Sequence, residues 1–113
     1  MEKITKPLTK KQIALLRRRY GRYVKVTVDI VKKVIVVGCE LHADGAALLE
    51  KEGSVTENLW GGGINWQTKQ IDTSAVFNLR PRLGNNSMEI LEPNIRQKFI
   101  EMVEEYLLKG RKE

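Results

Sequence analysis

The sequence predicts an α+β fold: an antiparallel sheet of about four strands in the order α-ββ-α-ββ-α, with the helices on one face. Three observations carry this. Two stretches alternate apolar and polar residues with the strand period of two, Val24 to Ile30 and Ile71 to Leu79. Two others, Ile13 to Tyr20 and Ile95 to Leu107, carry apolar residues at helical spacing. The connections within each strand pair are too short for a crossover helix, so they read as hairpins and the sheet as antiparallel. At 113 residues the chain suits a single domain over residues 1–113 with one core. No repeat, low-complexity tract or linker divides it.

The first helix has a defined start. Thr9 and Gln12 have the spacing of a capping box, in which hydroxyl and side-chain amide each satisfy a free backbone N–H. Leu8 and Ile13 stand where a hydrophobic staple would, and Gly21 suits the position just past the end. Val24 to Ile30 and Val34 to Val37 follow as a strand pair, the second more apolar throughout. A short helix is expected from Asp44, as cap, to Glu52, with Gly53 ending it. Residues 57–66 and 71–80 read as a second strand pair, and the Gly61–Gly63 run as a bulge or flexible break. After an irregular polar stretch over residues 80–92, Pro93 opens the last helix behind Glu92, and Gly110 closes it.

Charge is unevenly placed. The net charge is +6, yet residues 1–33 hold eleven Lys/Arg against two acids, so the positive charge is an N-terminal property. Residues 1–20 carry charges with no apolar h-region, and no apolar run approaches the ~20 residues of a spanning helix, so a cytoplasmic location is expected. The single cysteine, Cys39, sits in an apolar strand and reads as a small buried hydrophobe. Walker, nucleophile-elbow and dinucleotide-binding patterns are absent.

Three segments carry functional potential. Glu40, His42 and Asp44 are candidate catalytic residues: Glu40 and His42 share a strand face, and two carboxylates around the lone imidazole suit proton transfer. The same trio could ligate a metal, but no second histidine accompanies it, and no metal site is assigned. Asn78, Arg80, Arg82, Asn85 and Asn86 are candidate ligand-binding residues, because guanidinium forks and exposed amides suit an anion. Finally, Lys10, Lys11, Arg17, Arg18, Arg19 and Arg22 make the first helix basic, as a phosphate-contacting helix would be, although no recognition motif supports nucleic acid specifically.

Two readings follow. The first is a small binding or accessory module for an anionic small molecule, a protein or, with weaker support, nucleic acid. The second is a small enzyme or metal-binding protein using Glu40, His42, Asp44 and Arg80. Neither names a cofactor. A sheet this small has edge strands, which would also permit a homodimer.

At Val28-Asp29-Ile30, Gly38-Cys39-Glu40-Leu41-His42-Ala43-Asp44, Glu57-Asn58-Leu59-Trp60-Gly61 and Asn78-Leu79-Arg80-Pro81, the chain resembles a family of small prokaryotic proteins classed as a domain of unknown function. The likeness spans nearly the whole chain and is clearest over residues 24–98. The family pattern runs V-D-I, G-x-E-L-H-A-D, E-N-L-W-G-I-N, N-x-R-P and G-N-x-S. Here Gly62 and Gly63 intervene before Ile64-Asn65, and Cys39 stands where a small residue is common. The resemblance implies a bacterial or archaeal protein and assigns no activity.

Overall fold

The computed structural model describes residues 1–112. The elements run β1 (Glu2–Ile4), α1 (Lys10–Tyr20), β2 (Tyr23–Asp29), β3 (Val34–Val37), α2 (His42–Lys51), β4 (Leu59–Asn65), β5 (Gln70–Asp72) and α3 (Pro93–Leu107). The strands form one antiparallel sheet in the spatial order β1-β3-β2-β4-β5. The sheet therefore has five strands rather than about four, and the chain opens with a strand. β1 spans three residues with Lys3 at its centre, too short for a period of two to be visible.

Local chemistry sets the helix ends. Thr9 accepts from the Gln12 amide at 3.2 Å while the Gln12 side chain accepts from the Thr9 amide at 2.9 Å, the reciprocal capping expected. Gly21, at φ 85°, donates to Arg17 O and ends α1. At α3, Pro93 takes the first turn and the Glu92 carboxylate accepts from the Asn94 and Ile95 amides. α2 differs from expectation: it starts at His42 behind Leu41, and Asp44 lies inside its first turn rather than at the cap.

The helices also divide between the two faces of the sheet. Ile13 and Leu16 of α1 and Phe99, Val103 and Leu107 of α3 pack on Val24, Val26, Val28, Ile35, Val37, Trp60 and Ile64. Ala46 and Leu49 of α2 pack on Val36 and Leu59 on the opposite face. The physical reason lies in β3. Its Val34 to Val37 run is apolar on both faces, and a strand apolar on both faces needs cover on both.

The β2–β3 hairpin turns on Asp29, which is fully buried. Its carboxylate accepts from the Val31 and Lys32 amides at 2.9 and 2.8 Å and from the Ser54 hydroxyl at 2.6 Å. Lys33 then adopts a left-handed φ of 59°.

β4 carries no bulge. It pairs continuously with β2 from Tyr23↔Asn65 to Asp29↔Leu59. Its three glycines instead make room. A Cβ on Gly62 would stand 2.0 Å from Asp72 O, one on Gly61 would stand 2.8 Å from the His42 ring, and one on Gly63 would stand 2.1 Å from the Tyr23 hydroxyl.

The predicted strand over residues 71–80 is the largest departure. β5 ends at Asp72, and residues 76–78 form a 3₁₀ turn. Beside Leu59 and Gly61, side chains from this segment take the place of a strand.

Candidate functional site

His42 begins α2 and lies over Gly61, where a side chain would exclude the ring. Its Nε2 is 2.7 Å from Gly62 O. A carbonyl only accepts, so Nε2 carries the proton and Nδ1 is bare in the neutral ring. Burial pushes the imidazole below its ordinary range. The bond to Gly62 opposes this, Lys25 adds to it, and Asp72 opposes it. Around the ring, Lys25 Nζ donates to Glu40 O at 2.8 Å, and the Thr27 hydroxyl donates to His42 O at 3.0 Å. Cys39 is buried, and that burial holds its thiol above the ordinary range, as suits a packing residue.

The predicted trio does not converge. Glu40 and Asp44 are exposed, while His42 is half-buried with its Nε2 turned to the strand backbone. The charges acting on the ring are Lys25 and Asp72, not Glu40 or Asp44. Among the described residues, no three His, Cys, Asp or Glu side chains gather into a group able to hold a metal ion.

His42 nonetheless has a measurable consequence. Its folded-state pKa is depressed, so the unfolded chain binds the proton more readily. Its contribution to stability is full above the unfolded value of about 6.5 and is lost as pH falls through the lower folded value. We expect urea midpoints to decline over this acid window in the wild type and to decline less in His42→Gln. Identical slopes in the two proteins would show that His42 is not perturbed.

The second group, Asn78, Arg80, Arg82, Asn85 and Asn86, splits in two. Asn78 is fully buried. Its Oδ1 accepts from Gly61 N at 2.8 Å, and its Nδ2 donates to Gly61 O, Thr73 O and Met88 O at 2.8, 3.3 and 3.1 Å. One side-chain amide thus makes to Gly61 the pair of bonds that a neighbouring strand would make. Asn85, 3% exposed, donates to Asn78 O, Ser87 O and Glu89 O and accepts from Leu91 N. Arg80 donates to Thr56 O at 2.9 Å and Leu59 O at 2.5 Å, and its guanidinium lies 4.6 Å from the ring centres of both Trp60 and Phe77. Burial lowers its pKa, with Glu57 and Glu50 opposing. Arg82 and Asn86 are exposed.

A scan against protein-family models matches residues 2–106 to DUF5674, described as a protein of unknown function. The chain belongs to the DUF5674 family. No curated protein and no solved structure matches it. In this DUF5674 chain, the motif segments seen in the sequence meet along one seam. Asp29 fixes the hairpin beside Asn58 and Ser54, His42 reaches Gly62, Asn78 reaches Gly61, and Arg80 reaches Leu59.

The third group, the basic helix, is the one left facing solvent. Lys10, Lys11, Arg17, Arg18, Arg19 and Arg22 are all exposed. Arg19 pairs with Glu2 at 2.7 Å, and Arg22 donates to Gln67. Arg17 and Arg18 form no ion pair among the described residues. Sequence reasoning missed Leu15, which is 56% exposed on this helix. The available signal was its position, since it falls opposite the stripe formed by Ile13, Leu16 and Tyr20. It also missed Asp29, whose signal was a lone acid ending an otherwise β-branched alternation. No helix among the described residues is long and apolar enough to cross a membrane.

Proposed function

We propose that the chain is a binding module for an acidic protein partner, contacted through α1. The observation that carries this is the exposed cationic surface of α1, in which Arg17 and Arg18 form no ion pair among the described residues. Cations left unpaired on one side of a molecule raise the local concentration of an acidic partner and speed encounter. Leu15 on the same helix favours a polypeptide over nucleic acid, because an exposed leucine has no use against a phosphate backbone. Of the nearby aromatics, Tyr20 is half-buried and donates to Glu2, and the Tyr23 hydroxyl donates to Asp72. Asn78, Arg80 and Asn85 support the fold in this reading, and any anion contact falls to α1.

The test is fluorescence anisotropy with a short glutamate-rich peptide and a DNA strand of matched charge, across a salt series. The peptide is expected to bind at low salt and weaken as salt rises. Double reversal, Arg17→Glu with Arg18→Glu, is expected to weaken it by roughly tenfold or more, about 1.4 kcal/mol. Tighter binding of the DNA strand, or equal peptide binding by the reversed variant, would sink the proposal.

A further inference from the structure

The first strand of the sheet offers a specific place for such a partner. β1 lies at the edge, paired only with β3. Gly38 N–H donates to Lys25 O of β2. Antiparallel ladders alternate, so Val34 and Val36 also face β2, while Ile35 and Val37 face β1 and pair with Ile4 and Glu2. Lys3 is the residue between, and its N–H and C=O point away from the sheet. Side chains alternate as well. Glu2 and Ile4 point toward α1, where Glu2 meets Arg19 and Ile4 joins the core. Lys3 points to the other face, where it meets Glu52 at 2.9 Å.

Beside this outward backbone runs a groove of about 320 Å³ between β1 and α1. Its floor is apolar: Ile4, Leu8 and Leu16, each under a tenth exposed. Leu15 forms one wall, and Lys6 and Arg19 stand on the rim. The one acid on the rim, Glu2, is engaged by Arg19 and by the Tyr20 hydroxyl at 3.0 Å. An outward strand edge flanked by an apolar slot is the arrangement that accepts an extended peptide: main-chain bonds give affinity, and alternate side chains enter the slot.

Charge selects among occupants. The last described residues of the chain itself are already placed elsewhere, with Arg111 N donating to Leu8 O and its Nε to Pro7 O. A second copy paired β1 to β1 would bring two sets of Lys6 and α1 cations together, Lys3 being balanced by Glu52, and like charges across an interface oppose assembly. An acidic segment meets no such opposition.

Resting on the binding-module reading above, we propose that an extended, acidic segment of a partner polypeptide adds as a sixth strand along β1. It hydrogen-bonds to Lys3 and seats an apolar side chain in the slot under Leu15.

The experiment titrates the full chain with a short peptide of alternating leucine and glutamate, read by calorimetry and by amide NMR. The same peptide N-methylated at alternate residues serves as the comparison. Binding is expected to shift the Lys3 amide resonance and protect it from exchange. N-methylation is expected to weaken binding by roughly three- to tenfold, the worth of a hydrogen bond or so. Leu15→Gln, an uncharged change at an exposed helix position that folding tolerates, is expected to weaken it by about tenfold. Lys3→Pro removes the outward N–H at an edge position where proline is tolerated, and should do the same. Binding that responds to Arg17 and Arg18 reversal but not to N-methylation or Leu15→Gln would overturn strand addition while leaving the charge-based reading in place. No binding of any acidic peptide at low salt would overturn both. A concentration-dependent dimer with Lys3 in its interface would overturn the choice of occupant.

Discussion

Asn78→Ala is expected to destabilise the chain by about 3–5 kcal/mol, measured by urea unfolding. The substitution removes one acceptor and two donor hydrogens from a site with no solvent access, leaving Gly61 N and the carbonyls of Gly61, Thr73 and Met88 without that partner. Each buried group so stranded costs roughly 1–3 kcal/mol, and because all four meet at one side chain their costs do not simply add. Asn78→Asp separates shape from bonding. It keeps the acceptor for Gly61 N but turns a carboxylate oxygen toward three carbonyls, so it should be at least as damaging at neutral pH and partly relieved as the acid protonates. Arg82→Ala, on the same segment but exposed, should stay within about 0.5 kcal/mol. A loss below about 1 kcal/mol for Asn78→Ala would mean that the amide does not stand in for a strand.

Asp29→Ala should cost about 3–4 kcal/mol, by the same measurement. Its carboxylate takes two backbone amides of the hairpin turn and the Ser54 hydroxyl, tying the β2–β3 connection to the segment after α2. Hydrogen bonds to an ionised acceptor are worth roughly 1.5–3 kcal/mol each, and their removal leaves Val31 and Lys32 to find water. Asp29→Asn keeps an acceptor for the turn and should retain more than half of the stability, whereas Ser54→Ala should lose only about 1–2 kcal/mol. Combining Ser54→Ala with Asp29→Ala should add little to Asp29→Ala alone, since both remove the same bond. Full additivity of the two would show that the Ser54 contact is energetically irrelevant.

The sequence made the helices legible because their signals are local. The Thr9–Gln12 capping box, Gly21 and the Glu92-Pro93 start each act within a turn of the residues they affect. The β2 and β3 strands were legible for the same reason. The rest depends on partners distant in the chain. Whether Gly61–Gly63 marks a bulge or a close approach is decided by His42, Asp72, Phe99 and Tyr23, none of them neighbours in sequence. The alternation from Ile71 to Leu79 satisfies a strand pattern, but Asn78 is used as a bonding group, and that use requires the 3₁₀ turn that presents it to Gly61. The family pattern marked Asn78, Arg80 and His42 together, and geometry shows why a single pattern holds them: all three address the backbone of β4. The exposure of Leu15 follows from its position opposite the helix stripe, whereas its place beside the edge of β1 depends on a strand too short to show a pattern.

The closure of β4 by side chains has a consequence for how this chain tolerates change. Loops ordinarily absorb substitution and length variation, while strands resist both. Residues 73–91 contain no long regular element, yet the Asn78 amide and the Arg80 guanidinium pin the segment to β4, and the Asn85 amide ties it to itself. A saturation library across this segment should therefore show a comb: sharp intolerance at Asn78, Arg80 and Asn85, with permissive positions at Arg82 and Asn86 between and beside them. Such a profile belongs to a hinge-pin rather than to a loop, and one inserted residue between Asn78 and Asn85 would put every later tooth out of step.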